Sequence, residues 1–154
     1  MALRGDRLEL EFEVHNPGPQ SFAFAAALHS YYGIAELAQT SVAGLEGLAY
    51  EDQTADKLPQ PDGPIRFAGV KLDRIYHGAA AALTLATGTA ALRLEQSGFT
   101  DAVVWNPGAA DAAKAADMDD QDYLRFVCVE AALVDPLTLA AGALWLGRHT
   151  ISAA

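Results

Sequence analysis

Cysteine is nearly absent from this chain. Cys128 is the only one in 154 residues, which excludes an intramolecular disulfide and four-cysteine zinc sites. Its place inside the apolar run FVCVEAALV (126–134) points to a packed thiol rather than a reactive one. Cations are scarce too: ten Lys and Arg face twenty Asp and Glu, a formal charge of −10, which opposes nucleic acid or an anionic membrane surface as partner. No apolar run approaches the roughly 20 residues of a membrane helix. The N-terminal MALRGDRLELEFE has no apolar segment of the signal-peptide kind, so a soluble, cytoplasmic protein is expected. A glycine-rich phosphate loop and a Gly-x-Ser-x-Gly elbow are both missing, which leaves nucleotide binding and serine hydrolysis without a basis. No two of the four histidines stand at i, i+4, so no metal is expected.

What is present has a period of two. In RLELEFEVHN, Leu8, Leu10, Phe12 and Val14 alternate with Glu9, Glu11 and Glu13, the pattern of a strand with one dry and one acidic face. NPGP (16–19) ends it. SFAFAAALHSYYGI is apolar on both parities, which predicts a strand covered on both sides. Further strands are expected at 37–45, 65–70, 74–77, 81–86, 90–96, 101–106, 123–134, 136–140 and 144–152, and such short strands between Gly, Pro and Asp signals predict an all-β antiparallel sandwich. One short alanine-rich helix is expected within 108–118. The polar, proline-bearing segment 51–64 reads as a long loop. The length suits one domain over 1–154.

Two ionisable groups interrupt this apolar pattern. Glu130 shares its strand parity with Leu124, Phe126, Cys128, Ala132 and Val134, and a carboxylate left there costs several kcal/mol unless it is paired, hydrogen-bonded or protonated. It reads either as a satisfied core glutamate or as a general base on a cleft floor, where low dielectric raises basicity. His29 sits in FAAALHSYY, either as a hydrogen-bonded core residue or as a proton donor near neutral pH. His15, His77 and His149 are expected at strand ends and on the surface. Asp73, in DRIYH, suits a turn cap or a hydroxyl acceptor. Trp105 and Asn106, where a strand ends in VVWNPG, suit a sugar-stacking contact or an ordinary core indole.

As an ordered set, AALHSYYGI, VAGLEGLAYED, LDRIYH, SGFTDAVVWNPG, DMDDQDYLRFVCVEAALV and PLTLAAGALWLGRHTIS resemble the successive motifs of the hexose-6-phosphate mutarotases. These are the glucose-6-phosphate 1-epimerase branch of the galactose-mutarotase-like proteins. The resemblance runs from about residue 7 to 152 and matches the C-terminal half of family members. It implies part of a large antiparallel supersandwich and an isomerase that opens and recloses a sugar ring without a cofactor. By resemblance, His29 matches the catalytic acid, Glu130 the catalytic base and Asp73 a cleft aspartate. The implied partner is a small sugar or sugar phosphate. The arginines and glutamine that grip the phosphate in the family belong to its other half. Lys71 replaces a usual acid and Gly108 a usual tryptophan. A non-catalytic carbohydrate-binding or structural remnant, or a C-terminal fragment of a longer epimerase, is the competing expectation. Half a supersandwich leaves sheet surface uncovered, so a homo-oligomer is expected.

Overall fold

Strand parity decides most of the fold. The structure, a computed structural model, describes residues 1–55, 57, 59–60, 62–79 and 82–154. In chain order its strands are β1 (Ala2–Arg4), β2 (Arg7–His15), β3 (Phe22–Leu28), β4 (Tyr31–Gly33), β5 (Thr40–Ala43), β6 (Tyr50–Asp52) and β7 (Ile65–Arg66), then β8 (Leu72–Tyr76), β9 (Leu83–Thr87), β10 (Ala91–Ser97), β11 (Asp101–Asn106), β12 (Phe126–Leu139) and β13 (Leu144–Ala153). One short helix, α1 (Gly108–Ala112), follows β11. The first sheet runs β1-β2-β13-β10-β9-β5-β7, and the second runs β3-β12-β11-β8-β6 with β4 also on β12. The pairings are antiparallel. This is the expected sandwich.

The sheets meet across Val42, Leu85 and Leu94 of the first and Tyr76, Val104, Val127 and Val129 of the second. Burying one parity of each strand leaves the other parity of the second sheet on an outer face, and the ionisable candidates stand there.

Several expectations are corrected. The strand at 22–28 is not covered on both sides: β3 is an edge strand whose Ala23, Ala25 and Ala27 are exposed. Its second apolar parity consists only of alanines, which hydropathy counts as buried but which water covers. The dry face of β2 is only partly dry, with Phe12 39% exposed at the flank. The strands expected at 123–134 and 136–140 are one strand, β12, whose register shifts between Leu133 and Leu137. That irregularity accommodates Pro136, which lacks a ladder donor. His149 is no surface group: it is 2% exposed, with Nε2 2.9 Å from the Tyr32 hydroxyl and Nδ1 3.2 Å from the Glu95 carbonyl. The helix ends at Ala112. Residue 81 of the strand expected at 81–86, and residues 56, 58 and 61 of the loop expected at 51–64, lie outside the described residues; the start of that loop forms β6, paired with β8.

β8 carries one charge into the core. Arg74 Nε donates to Asp52 Oδ2 at 3.1 Å with both side chains almost fully buried, and the guanidinium lies 5.1 Å from the Tyr50 ring centre. It also donates to the Pro59 carbonyl at 3.4 Å, tying the following segment to the sheet. Removing one partner of a buried pair strands the other charge. Arg74→Met is therefore expected to lower stability by about 3–5 kcal/mol in urea unfolding, and Arg74→Met/Asp52→Leu to recover much of that loss.

Candidate active site

Register across four strands assembles the site. Glu130 on β12 pairs with Val103 on β11. Trp105 pairs with Cys128 on one side and Asp73 on the other, and Tyr31 on β4 pairs with Cys128. Directly paired residues share a face, so Asp73, Trp105, Glu130 and Tyr31 all project from the outer side of the second sheet. His29 occupies the gap between β3 and β4, opposite Glu130 because Leu28 pairs with Ala131 and Tyr31 with Cys128. The break in pairing is local, with the Ser30 amide turned back to the Leu28 carbonyl at 2.7 Å.

His29 Nε2 lies 3.3 Å from Glu130 Oε1, with the imidazole half exposed and the glutamate side chain 7% exposed. Two residues 101 positions apart thus make one acid–base pair at the surface of an apolar sheet. Burial lifts the Glu130 carboxyl above the usual glutamate range; the nearby His29 opposes this and the Asp73 carboxylate adds to it. Asp73 is raised as well, first by burial, against the pull of Lys71 and with a further push from Asp52. A carboxylate in this condition is a stronger base than one in water.

Aromatic rings hold the imidazole. Tyr31 stacks on it, with ring centres 4.9 Å apart at 20°, and Trp105 meets it edge-on at 5.8 Å and 70°. Trp105 in turn stacks on Phe126 at 6.0 Å and 25°. Trp105 is half-buried and Tyr31 exposed, so rings border the pair on the side where a ligand would approach. Tyr31 and Phe126 were not singled out by the sequence reading. The available signal was parity: Tyr31 stands two residues beyond His29, and Phe126 four before Glu130.

Cys128 lies on the same face but is fully buried, and its thiol is pushed up to about 12 by burial, with the Glu130 charge adding. It is a packed thiol. Asn106 is not brought into the group. It lies on the opposite parity from Trp105 and is 1% exposed. Its Nδ2 donates to the Tyr123 and Phe126 carbonyls, both at 2.9 Å, and its Oδ1 accepts the Gly108 amide at 3.0 Å. The expected sugar contact is therefore corrected to an anchor of the segment that follows β11. Among the described residues no three His, Cys, Asp or Glu side chains are grouped to hold a metal ion, and no helix is long and apolar enough to cross a membrane.

Chemically, the pair can take a proton from one oxygen and give one to another close by, which suits reactions at a carbon bearing two oxygens. Comparison with known proteins points the same way. The sequence profile of the aldose 1-epimerase family matches residues 1–152. A protein of Cenchrus ciliaris, provisionally named a glucose-6-phosphate 1-epimerase, is 29% identical over 143 residues, 90% of this chain and 43% of its own length. One of Salmonella typhimurium with the same provisional name is 31% identical over 133 residues, 82% of this chain and 42% of its own. The crystal structure of a provisionally named mutarotase from Salmonella typhimurium superposes with a TM-score of 0.85 at 30% identity, covering 97% of this chain and 50% of that one. The chain spans about half the length of the relatives it matches.

The raised Glu130 carboxyl fixes the sign of a stability effect. The unfolded chain ionises this group at the usual glutamate pH and the folded chain only at higher pH. Its contribution is therefore fully present below the usual range and is lost as pH rises through the folded value. Glu130→Gln is expected to raise stability by about 1 kcal/mol at pH 7, and that gain should vanish in thermal melts below the usual glutamate range.

Proposed function

The chain belongs to the aldose 1-epimerase family, and from that premise we propose that it interconverts the α and β anomers of a hexose or hexose 6-phosphate by acid–base ring opening. The 3.3 Å contact between a buried carboxyl and a half-exposed imidazole is the observation that carries this reading. Glu130 takes the proton of the anomeric hydroxyl O1. As the C1–O1 double bond forms, the electron pair of the C1–O5 bond leaves with O5, which takes a proton from His29. Rotation about C1–C2 turns the other carbonyl face to O5. Closure returns one proton to His29 and the other from Glu130 to O1, and the product is the opposite anomer. O1 and O5 are both bonded to C1, so the acid and base must stand side by side, as this pair does. Asp73 accepts a ring hydroxyl and Trp105 borders the sugar. No redox step arises, and the reaction balances without a cofactor.

The cations near Asp73 bear on how a sugar phosphate would be met. Lys71 is held between Asp73 and Asp111, Arg74 points into the core against Asp52, and Arg66 is on β7 of the other sheet. Asp73 and Asp111 both engage that lysine, so a 6-phosphate would have to draw it from its carboxylate partners. We place the reaction in the cytoplasm, to which a lone, buried, reduced thiol is suited.

We further infer that a second copy of the chain covers the open flank. β3 (FAFAAAL) carries no charge and no proline along its unpaired edge, and such an edge is a template for another strand. The ring chain Phe12–Trp145–Phe24–Phe22 crosses from the first sheet to the second beside it, and its ends Phe12 and Phe22 are each 39% exposed. Despite a charge of −10 per chain, two copies meeting there bring no like charges of β3 into contact.

Three measurements test these readings. In saturation-transfer NMR of glucose and glucose 6-phosphate, the protein should speed anomer exchange above the spontaneous rate, and Glu130→Gln or His29→Asn should cut that acceleration by roughly 10²- to 10⁴-fold; a non-catalytic remnant gives no acceleration at all. Added salt should raise exchange of the phosphate by screening repulsion and leave that of glucose unchanged. Light scattering should find a dimer or larger assembly at micromolar concentration, which Ala25→Lys on the edge strand should convert to monomer; a monomeric parent would overturn the second-copy reading.

A further inference from the structure

A row of charges reaches the acid–base pair from the rim. Lys71 Nζ, just before β8, is 3.8 Å from Asp73 Oδ2 and 3.5 Å from Asp111 Oδ2. The two carboxylates are held by different elements, Asp73 by β8 and Asp111 by α1. The seating of α1 does not depend on the lysine. The Ala109 amide donates to the Gly69 carbonyl at 3.0 Å, Asn106 Oδ1 takes the Gly108 amide, and Gly108 has φ +66° with its Cα so close that a Cβ would overlap the Lys71 backbone nitrogen. Only glycine permits that approach. The backbone therefore delivers Asp111 to Lys71, while Lys71 reaches Asp73, which lies across β11 from Glu130.

Stability does not account for this arrangement, because half-exposed ion pairs of this length contribute about 0–1 kcal/mol. Its effect falls on Asp73. We propose that Lys71 is a positioning residue of the site: braced by Asp111 from α1, it holds the half-buried Asp73 carboxylate in place on the sheet face, so that Asp73 meets the sugar as a hydrogen-bond acceptor. The sugar contact rests on the epimerase reading above; the charge coupling does not.

The sign of its effect follows from the groups facing Glu130. His29 and Tyr31 face it from the β3–β4 segment, Cys128 from its own strand and Asp73 from β8. Asp101, farther along β11, is occupied by Gly78, Thr100, Val134 and His77. Lys71 is the cation that touches Asp73. Burial raises Asp73 and the Asp52 charge adds to this, while Lys71 lowers it, so loss of the lysine moves Asp73 further up; the Asp73 charge in turn raises Glu130, so its removal lowers Glu130.

Carboxyl ¹³C NMR titration of Asp73 and Glu130 tests this without requiring turnover. Lys71→Gln should shift the Asp73 midpoint to higher pH, Lys71→Arg should restore it, and Asp73→Asn should shift the Glu130 midpoint to lower pH. Lys71→Met, which keeps the aliphatic stem, serves if the glutamine variant folds poorly. The acid limb of anomer exchange should follow the Glu130 midpoint in each variant. An unmoved Asp73 midpoint on removal of Lys71 overturns the proposal even if the enzyme is active. Shifted midpoints in a protein that accelerates no anomer exchange uphold the coupling and overturn the epimerase reading.

Discussion

The register of β12 against its neighbours is the constraint on which everything else depends. One parity of this strand, Val127, Val129 and Ala131, enters the core, and the alternate parity, Cys128 and Glu130, is turned to the outer face. A slip by one residue would move Glu130 between the sheets and Val129 to the surface. Because Val127, Val129, Ala131 and Leu133 must be buried together, the hydrophobic effect that holds the sandwich shut also fixes where the carboxylate stands. The place of the carboxyl on the outer face is therefore tied to the packing of the core.

A cost comes with that position. The Glu130 side chain is only 7% exposed, and Asp73 adds a second negative charge. An isolated protein could lower its free energy by replacing this carboxyl, and a neighbouring imidazole half open to solvent only partly offsets the loss. Groups held in unfavourable protonation states and stacked into place by rings are typical of sites where function, not stability, sets the residue.

Much of this was legible in the sequence, and the rest was hidden for identifiable reasons. Glu130 and His29 stood out because each is an ionisable group in an apolar run, and periodicity gave the sandwich. Parity cannot tell an alanine face that packs from one that meets water, which is why β3 reads as covered. His149 reads as a strand-end surface group, whereas it stands within β13, and only the pairing of β13 with both β10 and β2 places it between the sheets. Asn106 adjoins Trp105 in sequence, but adjacent strand residues face opposite ways, so proximity along the chain pointed to the wrong side of the sheet. Long-range pairings such as that of Lys71 with Asp111 have no local signal, since they arise where β8 and α1 meet.

The open edge and the cleft are parts of one surface. Ala27 pairs with Ala132, two residues from Glu130, so the alanine face of β3 continues the sheet face that carries the acid–base pair. On the proposed association, a strand added at the free edge of β3 would continue that face in plane, beside the segment that carries His29. The second copy would then border the face that carries the acid–base pair, and water displaced there would strengthen the charge interactions of the site.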